Sequence, residues 1–488
     1  MNNPPLDDCP LYVDLDGSLT PSDTLHESVV LFARRHPMNL LRMVGWLPRG
    51  KAGFKRALAD AVLPEPEQLP WRADFIGFLR SEHARGRTLV LATAADARIA
   101  RRVADHLGVF SAVLATEDGG PNLSRANKRE AIAAHARALG HERWAYAGNS
   151  ADDLDVWAGS AQAVAVNAPA GVLRRLQATH APAQVFEHQP LSLKTVLRAI
   201  RLKQWSKNGL LFVPLLAAHT TIPSLWFTLF VAFVAFGLCA SATYLVNDLL
   251  DLPNDRAHRL KRLRPLAAGT MGIASAVAIG IGMILTAFAL AVWVGGAFTA
   301  ALLLYTALTL GYSLRWKRIP LFDVLLLATL YTLRIGAGAL AGHVDLSNWL
   351  LAISIFLFLS LALVKRCAEL EEAVEAHHAP APGRGYQPRD LATLRTMGMT
   401  SGFMSVLVLT LYIDSPNSRA LYGQPDWLWA AAPVLLLWVM RIWFKTGRRE
   451  LYGEDPLAFA LKDPFSWATL LIMGGIGVAA TIGWQPHL

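Results

Sequence analysis

The sequence predicts a chain of two parts: a soluble domain over residues 1–185, then an all-α polytopic membrane domain of about nine transmembrane helices over 186–488. The first observation behind this is uneven charge. Charged residues make up 17% of the 488 and hydrophobic residues 53%, but residues 1–190 mix frequent charge with short apolar runs, whereas from about 208 onward long apolar runs alternate with short polar loops. The second is the placement of the bases, which fall between the apolar runs on alternate sides.

A bilayer core takes roughly 20 apolar residues per helix. Nine segments are candidates: about 208–219, 224–247, 271–293, 296–314, 321–341, 347–366, 397–413, 426–444 and 465–484, the first and seventh being short. With the N-terminus inside, the second, fourth, sixth and eighth loops carry Arg256 to Arg264, then Arg315/Lys317/Arg318, then Lys365/Arg366/Arg384/Arg389/Arg395, then Arg441/Lys445/Arg448/Arg449. The opposite loops hold almost no base, Arg419 excepted. This is the positive-inside pattern. It predicts a multi-pass protein of the inner (cytoplasmic) membrane, with the N-terminal domain in the cytoplasm and the C-terminus outside. The N-terminus, MNNPPLDDCP, lacks the basic-then-apolar order of a signal peptide. The net charge of +9 is accounted for by topology and phosphate binding, so nucleic acid is not an expected partner. Cys9, Cys239 and Cys367 are scattered and form no CxxC, which argues against a disulfide framework or a zinc site.

The bases alone do not explain YLVNDLLDLPNDRAHRLKRLRP, residues 244–265, which follows an apolar stretch without charge from Pro223 to Val246. Bases orient a membrane protein, but acids contribute little to orientation. At about 100° per residue Asn247, Asp248 and Asp251 share one helix face. Pro253 is expected to end that helix, with Asp255 just beyond. Carboxylates gathered at a membrane edge repel one another unless a cation lies between them. Such oxygen ligands suit Mg²⁺, which commonly binds through one or two carboxylates plus substrate phosphates. The following bases, Arg256, Lys261 and Arg264 among them, would take the remaining phosphate oxygens. A second segment, LFDVLLLATLYTLRIGAG (321–338), sets Asp323, Tyr331 and Arg334 within about 80° of one helix face, with Arg334 about 16 Å along the axis from Asp323. An arginine at that depth faces a polar cavity, an anion or an ion-pair partner on another helix.

NDLLDLPNDRAHRLKRLRPLAAG resembles the first Asp-rich motif of the UbiA prenyltransferase superfamily, NDxxDxxxD followed by K/R-x-RP-x-x-x-G. The resemblance covers about 195–485 and implies a nine-helix enzyme in which Mg²⁺ holds a diphosphate in a cytoplasm-facing cavity. The second Asp-rich run of prenyl-diphosphate users is altered: Leu327 stands where its second Asp would fall, followed by Tyr331 and Arg334. In this respect, and in RLKQWSKN (201–208, containing Lys207), ALVKRCAEL (362–370) and DPLAFALKD (455–463), the chain resembles the branch of decaprenyl-phosphate phosphoribosyltransferases. The implied substrates are phosphoribosyl pyrophosphate and a polyprenyl phosphate. The implied roles are Mg²⁺ on Asp248, Asp251 and Asp255, with Asn247 and Asp323 completing the polar shell. Arg334, Lys365 or Arg366 would sit on the lipid phosphate.

LYVDLDGSLTPSDTL (11–25) is an apolar strand followed by DxDGS, and resembles the first motif of haloacid-dehalogenase-type phosphatases. That resemblance makes Asp14 the nucleophile and Asp16 the general acid/base, with Mg²⁺ shared between the Asp14 carboxylate and the Asp16 carbonyl. Three further pieces stand in family order: Thr93 in TLVLATAAD, where the family binds phosphate; Lys128 in SRANKREAI; and Gly148, Ser150 and Asp153 in WAYAGNSADDLDVW. Asn149 replaces the usual first Asp of the last motif. It would ligate Mg²⁺ through its carbonyl, beside Asp153. The match spans about 10–180 and implies an α/β doubly wound parallel sheet with a small helical cap over about 24–80. Together the two resemblances imply transfer of 5-phosphoribose to the lipid followed by removal of the ribose 5-phosphate. Two alternatives stand beside that reading: an aromatic prenyltransferase using prenyl diphosphate, and a non-catalytic soluble module fused to the transferase. A homo-oligomer is left open.

Overall fold

The computed structural model describes residues 9–375, 385–451 and 456–482. Arg384 and the stretch MNNPPLDD therefore lie outside the described residues, as does Asp455 of DPLAFALKD. The chain forms two compact units, Met1–Arg201 with Tyr244–Ile281, and Leu202–Thr243 with Gly282–Leu488. Neither unit is contiguous in sequence.

The first unit is built on six parallel strands: β1 (Leu11–Val13), β2 (Leu89–Asp96), β3 (Ala112–Thr116), β4 (Ala145–Gly148), β5 (Gln162–Val166) and β6 (Gln184–Phe186). Their order is β3-β2-β1-β4-β5-β6. Helices cover both faces of such a sheet, so its central strands read as near-continuous apolar runs. Alternate residues serve opposite layers. Leu11, Val13, Leu89 and Leu91 pack with Phe75, Leu79 and Val103. Tyr12 and Val90 pack with Ile132, Trp144 and Trp157 on the other face. The strand order reverses beside β1, which pairs with β2 on one side and β4 on the other. The crevice beyond the carboxyl end of a strand at such a switch point is where open α/β sheets bind ligands, and Asp14 is the residue that follows β1.

The cap is smaller than expected. Helices Thr24–Arg35, Leu40–Trp46 and Gly50–Ala61 share a cluster of their own around Leu31, Phe32, Leu58 and Val62. Helix Ala73–Ala84, anticipated as cap, belongs to the main core, because Phe75 and Leu79 are fully buried against the strands.

Among the described residues eight helices are long and apolar enough to cross a membrane: Pro223–Leu250, Ile273–Val294, Gly296–Leu314, Phe322–Ala341, Asn348–Glu372, Pro388–Ile413, Pro425–Gly447 and Pro464–Ile482. The protein is thus a multi-pass membrane protein. The segment read as the first of nine spans, 208–219, instead forms a 3-10 helix, Leu202–Phe212, followed by the five-residue helix Val213–Ala217. Twelve residues that open on a buried asparagine and include Pro214 are too few for a span. The 3-10 helix lies directly on helix Phe322–Ala341 because residue 338 is glycine: a Cβ there would stand 2.0 Å from the Leu211 carbonyl oxygen.

Candidate active sites

At the end of β1, Asp14 Oδ1 accepts a 2.8 Å hydrogen bond from Lys128 Nζ. Lys128 rises from the first turn of helix Arg125–Ala138 and is buried. Its ammonium also donates to Tyr146 Oη at 2.9 Å and lies 3.6 Å from Asp153 Oδ1. Tyr146 Oη in turn donates to Asp153 Oδ1 at 2.6 Å. Burial pushes the Asp14 carboxyl up, against the pull of Lys128. Burial acts upward on Asp153 too, but Lys128 and the Tyr146 hydroxyl hold it below the ordinary carboxylate range. Burial would lower Lys128; Asp14 and Asp153 keep it raised and charged. A fixed cation between two carboxylates beside an electrophile site is what an anionic phosphoryl group requires.

Asp16 sits two residues on, its Oδ1 accepting from the Thr24 N–H at 2.7 Å. Burial and the nearby Asp23 raise it to about 6. Thr93 is buried at the carboxyl half of β2, and its hydroxyl accepts from the Ala95 N–H. The sequence reading missed two members of this site. Tyr146 is one; its placement mid-strand in an apolar run gave no signal. Lys55 is the other: on the cap helix Gly50–Ala61, it donates to the Ala94 carbonyl at 2.7 Å and acts electrostatically on Asp16. Nothing in its helical sequence context, FKRALADAVL, marks this lysine, and only the fold brings it to the crevice.

Asp14, the Asp16 carbonyl and the Asn149 amide oxygen form a hard-oxygen set of the kind Mg²⁺ takes. Asn149 lies tight against the DxDGS turn, since a Cβ on Gly17 (φ +81°) would be 2.0 Å from Asn149 Nδ2. The residues fit the ion. Asp153, read as a further ligand, spends its Oδ2 on the Asn149 N–H, the Ser150 N–H and the Ser150 hydroxyl, and its Oδ1 on Tyr146. It holds the loop that carries Asn149.

Helix Pro223–Leu250 stops where Pro253 opens a second short helix, Leu252–Ala257, with Asp251 at its N-cap position and Asp255 in its first turn. Asp248 and Asp255, both buried, meet at Arg264, whose Nη1 donates to Asp248 Oδ1 at 3.2 Å and to Asp255 Oδ2 at 2.6 Å. Arg201 donates to Asp248 as well. Two carboxylates therefore converge on one positive charge, and this oxygen set also fits Mg²⁺ with substrate phosphates completing the shell. Among the described residues, no three His, Cys, Asp or Glu side chains cluster closely enough to hold a metal unaided. Asn247 and Asp251 are half-buried alongside. Lys261 is exposed in the 3-10 helix Lys261–Leu263. Arg256, grouped with the phosphate-binding bases, is otherwise engaged: its guanidinium grips Glu27 of the α/β fold at 2.7 and 3.0 Å and donates to the Gln68 carbonyl at 2.8 Å.

In the second unit two buried arginines behave differently. Arg366 donates to Asp323 Oδ2 at 2.8 Å and is also bonded to Glu369 and the Tyr312 hydroxyl. Asp323, fully buried, accepts in addition from the Tyr386 hydroxyl. These two residues, anticipated on separate phosphates or in the metal shell, are thus one another's partners. Lys365 beside them is half-buried. Among the described residues Arg334 meets only neutral acceptors: Asn208 Oδ1 at 3.1 Å, the Leu330 carbonyl at 2.6 Å and Tyr305 Oη at 2.9 Å. Its Cζ lies 5.3 Å from the Tyr331 ring centroid, and Lys207 Nζ 5.8 Å from the same ring.

A doubly wound α/β domain with a carboxylate–lysine pair at its switch point, joined to eight apolar helices with an Asp-rich turn, defines a multi-pass membrane protein carrying a hydrolase-type domain. A model of the UbiA prenyltransferase family matches residues 209–470, and one of haloacid dehalogenase-like hydrolases matches residues 11–157. The chain belongs to the UbiA prenyltransferase family and carries a haloacid-dehalogenase-like domain. It is 36% identical over 468 residues, 94% of this chain and 88% of the relative, to the uncharacterized protein y4nM of Sinorhizobium fredii. It is 33% identical over 291 residues, 58% of this chain and 92% of the relative, to the decaprenyl-phosphate phosphoribosyltransferase of Mycolicibacterium smegmatis. Among solved structures, a UbiA homologue from Archaeoglobus fulgidus bound to GPP and Mg²⁺ aligns with a TM-score of 0.45 and 17% identity, over 59% of this chain and 99% of that one.

Proposed function

We propose that the protein transfers 5-phosphoribose from phosphoribosyl pyrophosphate to a polyprenyl phosphate, and that its soluble domain then removes the ribose 5-phosphate to leave polyprenyl-phosphoryl ribose. The observation that carries this reading is the likeness to the Mycolicibacterium phosphoribosyltransferase over nearly all of that relative's length. The convergence of Asp248 and Asp255 on Arg264 supports it. In this reading residues 1–185 are the phosphatase and 186–488 the transferase, with the basic loops and the soluble domain on the cytoplasmic side.

Asp248, Asp251 and Asp255 would hold Mg²⁺ in the transferase, and Asp14, the Asp16 carbonyl and Asn149 in the phosphatase. When bound, the ion supplies positive charge against the phosphate groups. In the transfer step, an ionised oxygen of the lipid phosphate attacks ribose C1 as the bond from C1 to the pyrophosphate oxygen breaks. The nucleophile is already an anion, so no general base is needed. Arg201 and Arg264, released from Asp248 as substrate arrives, turn their donors to the leaving pyrophosphate. In the second step the Asp14 carboxylate attacks the phosphorus and the bond to the ribose C5 oxygen breaks. Asp16 gives its proton to that oxygen. Water then attacks the aspartyl-phosphate, Asp16 takes the proton, and inorganic phosphate leaves. Lys128, held by Tyr146 and Asp153, keeps the nucleophile and the phosphoryl oxygens apart in charge.

The test is incubation of the purified chain with phosphoribosyl pyrophosphate labelled in the ribose, Mg²⁺ and a polyprenyl phosphate. Label should enter the lipid-extractable fraction only when both substrates are present. In a parallel incubation, transfer of label from a labelled prenyl diphosphate to an aromatic acid, with none from phosphoribosyl pyrophosphate, would instead mark an aromatic prenyltransferase.

A further inference from the structure

Between Glu27 and Asp60 the sequence holds seven bases and no acid. The short helix Leu40–Trp46, in the middle of that stretch, is apolar on two faces. Met43 and Trp46 pack inward on the cap cluster around Leu31, Phe32, Leu58 and Val62. Met38, Leu41, Val44 and Leu47, each three residues from the next, are 93%, 84%, 61% and 61% exposed. Arg35, Arg42, Arg49 and Lys51, interleaved with them along the chain, are exposed too. A contiguous apolar face open to water marks a surface that something apolar covers, and the interleaved bases require that cover to carry negative charge.

The cap begins at a membrane edge. Its first helix, Thr24–Arg35, is held at both ends by the turn that joins the spans Pro223–Leu250 and Ile273–Val294. Glu27 in its first turn pairs with Arg256, and Arg34 in its last donates to Asn254 Oδ1 at 3.1 Å. Met38 follows Arg34 by four residues, which reach at most about 14 Å. The turn repeats the composition of the cap, with Leu260 and Leu263 exposed among Arg259, Lys261 and Arg262. Apolar side chains with interleaved bases at this level are what an interfacial helix carries: the apolar face enters the boundary between headgroups and acyl chains, and the bases meet anionic lipid. A second copy of the chain fits this face less well, because it would bring the same bases against it.

We propose that the cap face formed by Met38, Leu41, Val44 and Leu47 docks on the anionic surface of the bilayer that the chain spans, with these side chains in the lipid and Arg35, Arg42, Arg49 and Lys51 on lipid phosphates. The same cap brings Lys55 to the Ala94 carbonyl at the phosphatase crevice, so docking keeps that crevice at the lipid surface. That this serves hydrolysis of a lipid-borne phosphomonoester rests on the reaction proposed above; the docking itself does not.

The experiment uses the full chain in nanodiscs that hold a single copy, made of phosphatidylcholine alone or mixed with phosphatidylglycerol. Cys9, Cys239 and Cys367 are buried, so a thiol-reactive, environment-sensitive dye reads an introduced cysteine. Dye on Leu41→Cys should emit to the blue and be quenched by lipids with a doxyl group on the acyl chain, about twofold or more strongly with phosphatidylglycerol than without. Dye on Arg137→Cys, at an exposed position of helix Arg125–Ala138, should show neither effect. In the Leu41→Cys background, the triple variant Arg42→Gln, Arg49→Gln, Lys51→Gln should lose most of the quenching, and so should the double variant Val44→Asp, Leu47→Asp. These side chains are exposed, so unfolding temperatures in detergent should stay those of the parent. Quenching on Leu41→Cys no greater than on Arg137→Cys would overturn the proposal. Equal quenching with and without phosphatidylglycerol would overturn the anionic-lipid assignment. A blue shift that appears only in detergent and grows with protein concentration would give the face to a second copy instead. Quenching as expected in a chain without phosphatase turnover would leave the docking surface standing and sink the proposed second reaction.

Discussion

Arg256 and Glu27, 229 residues apart in sequence, close a two-point ion pair in which Nη2 meets Oε1 at 2.7 Å and Nη1 meets Oε2 at 3.0 Å. The two side chains are only 10% and 7% exposed. The pair joins the Asp-rich turn to the α/β fold. Asp255, the residue before Arg256, faces Arg264, while Glu27 lies in the first turn of the helix whose leading N–H holds Asp16. Gly269 (φ +71°) completes the contact, since a Cβ there would come within 2.6 Å of Pro21 Cγ.

Glu27→Ala and Arg256→Ala should therefore each loosen the segment 252–270, read as faster limited proteolysis there and a lower unfolding temperature. Breaking a buried pair costs about 3–5 kcal/mol. The double variant should lose no more than the worse single, as partners in one interaction do. Additive losses would mean that the two act separately.

The buried pair Asp323–Arg366 predicts a stability effect of the same size elsewhere. Their side chains are 0% and 2% exposed. Arg366→Leu leaves Asp323 buried with the Tyr386 hydroxyl and no guanidinium, and should destabilise the chain by about 3–5 kcal/mol in detergent unfolding. A variant that unfolds like wild type, and fails only in lipid phosphate binding, would return Arg366 to the substrate site.

Much of this was legible in the sequence, and what was not has a physical reason. The apolar runs gave the spans because hydrocarbon thickness sets helix length, and the strand–DxDGS and NDxxDxxxD patterns gave both families. Segment 208–219 read as a span because composition does not register that Asn208 accepts from Arg334 of a neighbouring helix. Arg256 read as a phosphate ligand because its partner, Glu27, is an ordinary helical glutamate in sequence. Asp323 and Arg366 read as two site residues since nothing in a single sequence pairs residues 43 apart. Tyr146, Lys55, Asn208 and Tyr305 went unseen for the same reason: each acquires its role only through contacts the topology makes.

The Asp-rich turn should be indispensable to transfer. Asp248→Ala and Asp251→Ala should each abolish ribose transfer at limiting Mg²⁺, while the protein still extracts and elutes as folded material. Near-normal rates in both would discard their role in holding the ion.

The raised Asp16 predicts a pH limb. At about 6 it passes from acid to base. It must be protonated to donate, so turnover of an alkyl phosphate should fall as pH rises above that value. With p-nitrophenyl phosphate, whose leaving group needs no proton, the limb should be weak. Asp16→Asn should remove the difference between the two substrates. The same steep limb for both would mean that Asp16 is not the proton donor.

The central claim is that two reactions occur in sequence on one lipid. Mass spectrometry of lipids from wild type and Asp14→Asn, each incubated with phosphoribosyl pyrophosphate, Mg²⁺ and polyprenyl phosphate without any other phosphatase, tests it most directly. Wild type should yield polyprenyl-phosphoryl ribose, and Asp14→Asn should accumulate the 5-phosphorylated lipid at an undiminished rate of transfer. The same dephosphorylated lipid from both proteins, or only phosphorylated lipid from both, would contradict the account.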